Sequence, residues 1–577
     1  MKGKRAWCLF LVTMGLFTVA VWLAPPAWAV SSVRLEQASK DPNNWLMAHG
    51  TYEGWQYSGL DQINKSNVKD LKVAWIHQPG TIEHGLETAP LAVDGVVYYS
   101  ASYNRVFALD GATGKEIWHY YHPLDLNLIK TLFFQPFNRG LAVGWDKIFM
   151  GTLDGKLVAL DMKTGKKAWE TTLVDTKKCS CNFTGAPIIA KDKVVIGQTA
   201  GELPIRGKIF AVNAMTGEKA WQFETVAGPE DPEAMKTWGG DSWKYGGGGG
   251  WMVGTFDPAL NLVLWGTSNP APDYDWGGKD WETGGARPGL NLYTSSVVAL
   301  DADTGKLRWY FQEMPHDFWD YDSALGEFMF IDRGGQKLLV HQNKSGFVFV
   351  YNRTNGRIVN VYPMQKNYNF VKGIDPKTGK YIEPNIPELG KANYICPWIA
   401  GGRSWNAGAY SPKTGLWYNT ASEACEEVTI IKQTPTTEPA AGLYFGGDQV
   451  AKHTPTGPAY GHLDALDPIT GERKWVVNFK YPQIAFTMAT AGGLVFYGGD
   501  LDGRAIALDA DTGAELWSFR MGSANRGAII SYAVDGKQYV AIPSGLGSLV
   551  MGLYPALWPE VADMPAGAAL IVFTLPE

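Results

Sequence analysis

One pattern, Ala-x-Asp-x-x-Thr-Gly-x-x-x-Trp, constrains this chain more than any other feature, because it recurs along most of its length. It stands at Ala108–Trp118, Ala159–Trp169, Ala211–Trp221 (Asn213 replacing the Asp), Ala299–Trp309, Ala465–Trp475 and Ala507–Trp517. Two decayed copies, Tyr351–Gly356 and Ala409–Gly415, fall between Trp309 and Trp475 and bring the expected number of units to eight. In each unit an alternating strand, such as Lys156–Leu160, runs into an Asp-x-x-Thr-Gly turn. Asp can bond the backbone two residues on, and Gly accepts a positive φ. The Trp that follows opens the next strand and can wedge between neighbouring sheets. Trp118, Trp169 and Trp221 lie 51 and 52 residues apart, room for four strands with their loops. The expectation is an all-β fold, an eight-bladed β-propeller with tryptophan-docking repeats.

That architecture also answers a size problem. A chain of 577 residues is too long for one ordinary core, but a ring of repeats distributes the core among its units. The 67 glycines and 24 tryptophans, with only 19% charged residues, suit tight turns and buried indoles rather than long exposed helices. A formal charge of −6 provides no basic footprint, so nucleic acid is not an expected partner.

The first residues read as an export signal: Lys2, Lys4 and Arg5, an apolar run from Ala6 to Ala24, then an Ala-x-Ala site at Ala27–Ala29. Residues 1–29 are therefore expected to be a cleaved signal peptide and 30–577 the propeller, placing the mature protein in the periplasm. Four cysteines remain, and an even number in an exported chain favours disulfides. Cys396 with Cys425 is the expected bridge, while Cys179 and Cys181 either close a small ring or stay as thiols. No Cys-x-x-Cys-His occurs, so no covalent haem site is encoded.

Between Trp221 and Trp309 the spacing widens to 88 residues, with five glycines at 246–250 and a Gly/Pro-rich stretch at 270–289. Insertions of this length more often carry function than not. This one leads to His316-Asp-Phe-Trp-Asp-Tyr-Asp322. Asp320 and Asp322 are two residues apart and face the same way on an extended segment. Such like charges need a cation between them to stay ionised cheaply.

The repeats, the Gly-rich insertion and His316–Asp322 together resemble the quinoprotein alcohol dehydrogenases, periplasmic propellers that hold pyrroloquinoline quinone (PQQ) and a metal on the central axis. The resemblance covers nearly all of the mature chain. It implies Glu202 (in Ala200-Gly-Glu-Leu-Pro-Ile-Arg-Gly207) and Asn269 (in Gly266-Thr-Ser-Asn-Pro270) as metal ligands, an all-oxygen set suited to a hard cation. The residues alone leave open that Glu202 pairs with Arg206 and that Asn269 only holds a turn. For PQQ the resemblance implies Trp251 as stacking floor, with the glycines letting backbone approach the ring. Glu87, Arg139, Thr184, Thr199, Ala200 and Gly201 form the rim, and Lys344 faces the reactive carbonyls. Where the family carries adjacent cysteines, Phe133–Phe134 stand and would form an apolar lid; a family Asn falls on Ser404 or Asn406.

The implied reaction oxidises a primary alcohol to an aldehyde, with Asp320 as base and the metal as Lewis acid on the quinone. Asp322 is then an added metal ligand that favours a lanthanide over Ca²⁺, and Asp317 a supporting partner near Lys344. With no haem encoded, electrons would pass to a separate cytochrome c. A homo-oligomer is compatible with the resemblance, and the rival reading is a non-catalytic propeller scaffold.

Overall fold

The computed structural model describes Gly3 and residues 30–577, apart from 81–82, 84, 131, 133–135, 278–283, 436–442, 483 and 500. The expected signal segment 1–29 and the Phe133–Phe134 lid lie outside the described residues.

The chain folds as an all-β propeller. Among the described residues, eight sheets hold four strands or more, and in most the strands follow one another as a meander. In the sheet of Leu91–Val93, Val96–Ala101, Arg105–Asp110 and Glu116–Tyr121, the third strand is buried along its middle while the outermost keeps only Trp118 inside. One sheet joins the two ends of the chain. Its outer strand, Lys72–His77, pairs antiparallel with Ala569–Thr574, which pairs with Lys537–Ser544, so the chain's ends are tied together by backbone hydrogen bonds.

The repeated turn forms as its residues dictate. Asp110 Oδ1 accepts from the backbone N of Thr113 at 2.9 Å and from its hydroxyl at 2.7 Å, and Gly114 has φ +72°. The glycine matters for a second reason. A Cβ on Gly165 would lie 2.5 Å from the Trp118 ring, and one on Gly217 would lie 2.9 Å from Trp169. Trp75, Trp118, Trp169, Trp221 and Trp475 each lie over a turn glycine of the next sheet and donate the indole N–H to a carbonyl there, of Gly111, Met162, Ala214, Ala302 and Ala510 in turn, at 3.0–3.2 Å.

Two details differ from the sequence expectation. Ala409–Gly415 is no separate unit: Ala409–Ser411 is the first strand of the sheet whose third strand is Tyr460–Leu466, and a Cβ on Gly415 would meet open space. The missing unit is the sheet built from both chain ends, which carries Trp75. At one joint Tyr362 replaces the indole, its ring over Gly471 and its hydroxyl 2.9 Å from the Pro468 carbonyl. Both cysteine pairs are bridged, Cys396–Cys425 and Cys179–Cys181. Among the described residues no helix is long and apolar enough to cross a membrane.

Gly165 and Gly415 both have φ near +70°, so Ala costs similar backbone strain at either position. Only Gly165→Ala also strikes an indole, and thermal unfolding should show it destabilised further, by an excess of about 1–3 kcal/mol. Equal losses at the two positions would deny the indole contact any structural weight. A second prediction concerns His462, which is buried between Asp464 (2.7 Å) and Glu423 (3.4 Å). Burial opposes its charge, but the two carboxylates outweigh burial and lift its pKa to about 9. Stability from this group is full below the unfolded histidine pKa near 6.5 and is lost as pH rises through about 9. His462→Gln should flatten that segment of the stability–pH curve.

Candidate active site

The described residues enclose a cavity of about 310 Å³ lined by Arg139, Thr184, Thr199, Glu202, Trp251, Asp320, Asp322 and Lys344. These eight come from six separated stretches of sequence, and all are among the residues singled out from sequence. Ser404, Trp405 and the apolar Leu325, Ile399, Phe445 and Leu553 also line the wall.

The acidic segment alternates. Trp319 and Tyr321 pack into an aromatic core with Phe370, at centroid distances of 5.2 and 5.0 Å. Asp320 and Asp322 point the other way, into the cavity. Asp320 reaches it from a left-handed backbone, φ +61°, rather than from the extended strand the sequence suggested. Lys344 Nζ lies 2.8 Å from Asp320 Oδ2 and 3.8 Å from Asp322 Oδ2. Asp317, expected as a supporting partner near Lys344, is held by other groups. It accepts from its own segment, the N–H groups of Trp319 (3.0 Å) and Tyr321 (2.7 Å), and from Ser295 Oγ (2.9 Å). The buried Arg287 ties this segment to the insertion, donating to the carbonyls of Pro272 and Asp317.

The glycine run packs backbone against backbone. Gly250 N–H bonds the Gln198 carbonyl at 3.0 Å, Gly248 N–H bonds that of Asn269 at 3.0 Å, and Gly207 N–H bonds that of Gly247 at 2.8 Å. A Cβ on Gly249 would lie 2.5 Å from Ala200 N. The run is thus squeezed between the Glu202 and Asn269 stretches, and its missing side chains let the three backbones meet. Ala200 and Gly201 sit inside this packing, where a Cβ on Gly201 would come 2.6 Å from Asn269 Oδ1.

Asn269 is buried. Its backbone N–H donates to Asp322 Oδ1 at 2.7 Å and its Nδ2 to Asp273 Oδ1 at 2.8 Å, while Oδ1 has no hydrogen-bond partner. Arg206 turns away from Glu202, pairing with Glu230 and the Val226 carbonyl, so the pairing left open for Glu202 is not made. Burial, then Asp322, pushes Glu202 up to about 7. Burial likewise raises Asp320, Asp322 and Asp273, and Lys344 only partly offsets it. Lys344 itself is raised, because the acids around it outweigh burial. Among the described residues no three carboxylate, His or Cys side chains already form a closed metal cage. The oxygens are nevertheless those a hard cation takes, and buried Asn269 Oδ1, Asp320 Oδ1 and Asp273 Oδ2 stand without hydrogen-bond partners.

Across the cavity the charge reverses. Arg139 is paired with buried Glu87 at 2.9 Å and donates to Thr184 Oγ1 at 2.8 Å. Its guanidinium lies 5.0 Å from the rings of both Trp251 and Trp405. Glu87 itself is set behind Arg139 and does not line the cavity. Ser404 lines it, whereas Asn406 is held by Arg526 at 2.7 Å.

A family model described as PQQ, the glucose/ethanol/alcohol dehydrogenase β-propeller domain, matches residues 45–368 and 375–540. The chain belongs to this family. It is 34% identical to the quinoprotein alcohol dehydrogenase PedH of Pseudomonas putida over 98% of this chain and 97% of that one. It is also 34% identical to the lanthanide-dependent methanol dehydrogenase of Methylacidiphilum fumariolicum, covering 90% and 87%. A solved europium-containing methanol dehydrogenase superimposes with a TM-score of 0.87 at 32% identity, covering 94% of this chain and all of that one. As a member of the quinoprotein dehydrogenases the protein is built for PQQ plus a metal ion.

Sequence reasoning missed Asp273, which reads as part of a Pro-rich turn, and Trp405 and Leu553, which no motif marks. It also left Lys344 with too little to do. Lys344→Met removes the cation that Asp320 and Asp322 share, and should destabilise the metal-free protein by about 3–5 kcal/mol, read from thermal or urea unfolding. A loss below about 1 kcal/mol would show that this pair carries no such burden.

Proposed function

We propose that the protein is a periplasmic PQQ-dependent dehydrogenase that oxidises primary alcohols to aldehydes, employs a lanthanide ion and passes electrons to a separate soluble cytochrome c. The reading includes residues 1–29 as a removed signal peptide and 30–577 as one propeller of eight tryptophan-docked blades. The observation that carries it is the meeting of Glu202, Asp320, Asp322 and Lys344 in one cavity with Trp251 and Arg139. A scaffold protein would have no use for that set.

Glu202, Asn269, Asp320 and Asp322 would hold the metal. Trp251 would floor the cofactor, with Arg139, Thr184, Thr199 and Lys344 around it and Glu87, Ala200 and Gly201 supporting that rim. When bound, the quinone supplies a two-electron acceptor and the metal supplies Lewis acidity. The chain's own residues supply the rest. Asp320 Oδ1 has no hydrogen-bond partner and is placed to accept the alcohol's hydroxyl proton. The Lys344 ammonium, 2.8 Å from the other oxygen, keeps that carboxylate oriented and favours its ionised, basic form. Leu325, Ile399, Phe445 and Leu553 offer an apolar wall for the carbon chain and exclude water.

Asp322 supports the choice of ion. A second carboxylate beside Asp320 adds charge that a trivalent cation compensates better than Ca²⁺ does. The test is purification after growth with La³⁺ or with Ca²⁺ alone, followed by metal analysis and a dye-linked assay with PQQ and a panel of alcohols. Lanthanide-loaded protein should turn over primary alcohols, and Asp322→Ala should lose about 100-fold or more of lanthanide-dependent activity. Unchanged lanthanide-dependent activity in that variant would overturn the metal assignment. Absence of turnover with every metal would overturn the enzyme reading.

A further inference from the structure

Two carboxylates bracket Asn269, and only one of them belongs to the acidic segment at 316–322. Asp322 takes its backbone N–H at 2.7 Å, and Asp273, four residues further along the same loop, takes its side-chain Nδ2 at 2.8 Å. Asn269 Nδ2 also meets the Pro270 carbonyl at 3.3 Å, so both of its amide hydrogens are engaged on that side. An amide held by its nitrogen has its oxygen direction fixed. Here that oxygen is buried without a hydrogen-bond partner, close against Gly201 and the Glu202 stretch.

Asp273 is itself fully buried, and its second oxygen, Oδ2, also has no hydrogen-bond partner. The buried Arg287 on this loop feels the charge of Asp273 but gives its hydrogen bonds to Pro272 O, Asn291 Oδ1 and Asp317 O, and its Nε lies 3.8 Å from Asp275 Oδ2. A carboxylate placed in such a site without a cation costs several kcal/mol in real proteins. A turn would be served as well by a neutral acceptor.

We infer that Asp273 is a positioning residue of the metal centre, which locks the Asn269 amide with its oxygen toward the ion and adds a fourth carboxylate charge that biases the centre toward trivalent ions. The inference rests on the reading of Glu202 and Asn269 as metal ligands. Asp273 acts through Asn269 and through its field, since it does not line the cavity. Partners of ligating groups orient them and tune metal affinity in this way. One extra negative charge favours a 3+ ion over a 2+ ion at the same distance.

The test uses the purified full chain with PQQ, stripped with chelator and titrated with Eu³⁺, read by its luminescence, and with Ca²⁺, read by calorimetry. Asp273→Ala removes both the lock and the charge, and should weaken Eu³⁺ binding by about 10–100-fold. Asp273→Asn keeps an oxygen that can accept from Asn269 and loses only the charge. It should hold Ca²⁺ nearly as the parent does, while the preference for Eu³⁺ over Ca²⁺ drops about tenfold or more. Circular dichroism confirms that each variant is folded; if Asp273→Ala is not, the Asp273→Asn ratio decides. An unchanged ratio in Asp273→Asn, or unchanged Eu³⁺ affinity in folded Asp273→Ala, overturns the inference and leaves the metal centre standing. Parent protein that binds neither ion overturns the metal reading itself.

Discussion

The interaction on which the site depends is a repulsion. Glu202, Asp273, Asp320 and Asp322 are gathered around a single ammonium, Lys344, which lies within ion-pair distance of only two of them. Buried carboxylates that outnumber their cations are among the costliest arrangements a protein can hold, and they persist only where the surrounding structure forbids relaxation. Much of the local architecture can be understood as that restraint. Arg287 fastens the insertion to the acidic segment through backbone carbonyls, and Asp317 fixes the segment's own N–H groups. The glycine run binds the Glu202 and Asn269 stretches edge to edge. None of these contacts neutralises the cluster. They hold it in place, as the proposed metal centre requires.

Restraint at the site requires a stiff ring around it. At most joints one sheet is fixed to the next by an aromatic side chain lying over a turn glycine, and in most of these by an N–H donated to a carbonyl in that turn. The ring is then shut by Lys72–His77 against Ala569–Thr574, so neither end of the chain can peel away without breaking a sheet. Cumulative local joints of this kind let a repeat protein carry an unfavourable centre that one small core could not.

How much of this was legible in the sequence follows the range of each interaction. The Asp-x-x-Thr-Gly turn is a contact between near neighbours, so it could be read directly, and so could the common direction of Asp320 and Asp322, although Asp320 reaches it from a left-handed backbone. The unit made from both ends of the chain could not, because its strands are some five hundred residues apart and its turn lacks the motif. The same limit produced the false unit at Ala409–Gly415, whose turn chemistry is right but whose glycine faces no indole. At the site, residues carried over from the family pattern converge in one cavity. Asp273 escaped because in Pro270-Ala-Pro-Asp-Tyr-Asp275 an acid looks like ordinary turn composition until its burial is known. The glycines could be recognised as a place of close approach, but that they bring three backbone stretches together depends on long-range packing the sequence does not show.

The cavity is polarised, and that polarity narrows what it can hold. At one end Arg139, backed by Thr184, presents a guanidinium between two indoles; at the other stand the carboxylates. Trp251 belongs to both, with its face toward Arg139 and its N–H supporting the charge of Asp322. A simple anion would satisfy the first end and be repelled by the second. A metal ion alone would do the reverse. On the proposed reading, the complementary ligand would be a flat aromatic acid whose carboxylates meet the guanidinium end, accompanied by a cation at the acidic end. Neither component suits the whole cavity without the other. Removal of the cation should therefore weaken retention of the quinone as well, even though the residues that stack against it remain in place.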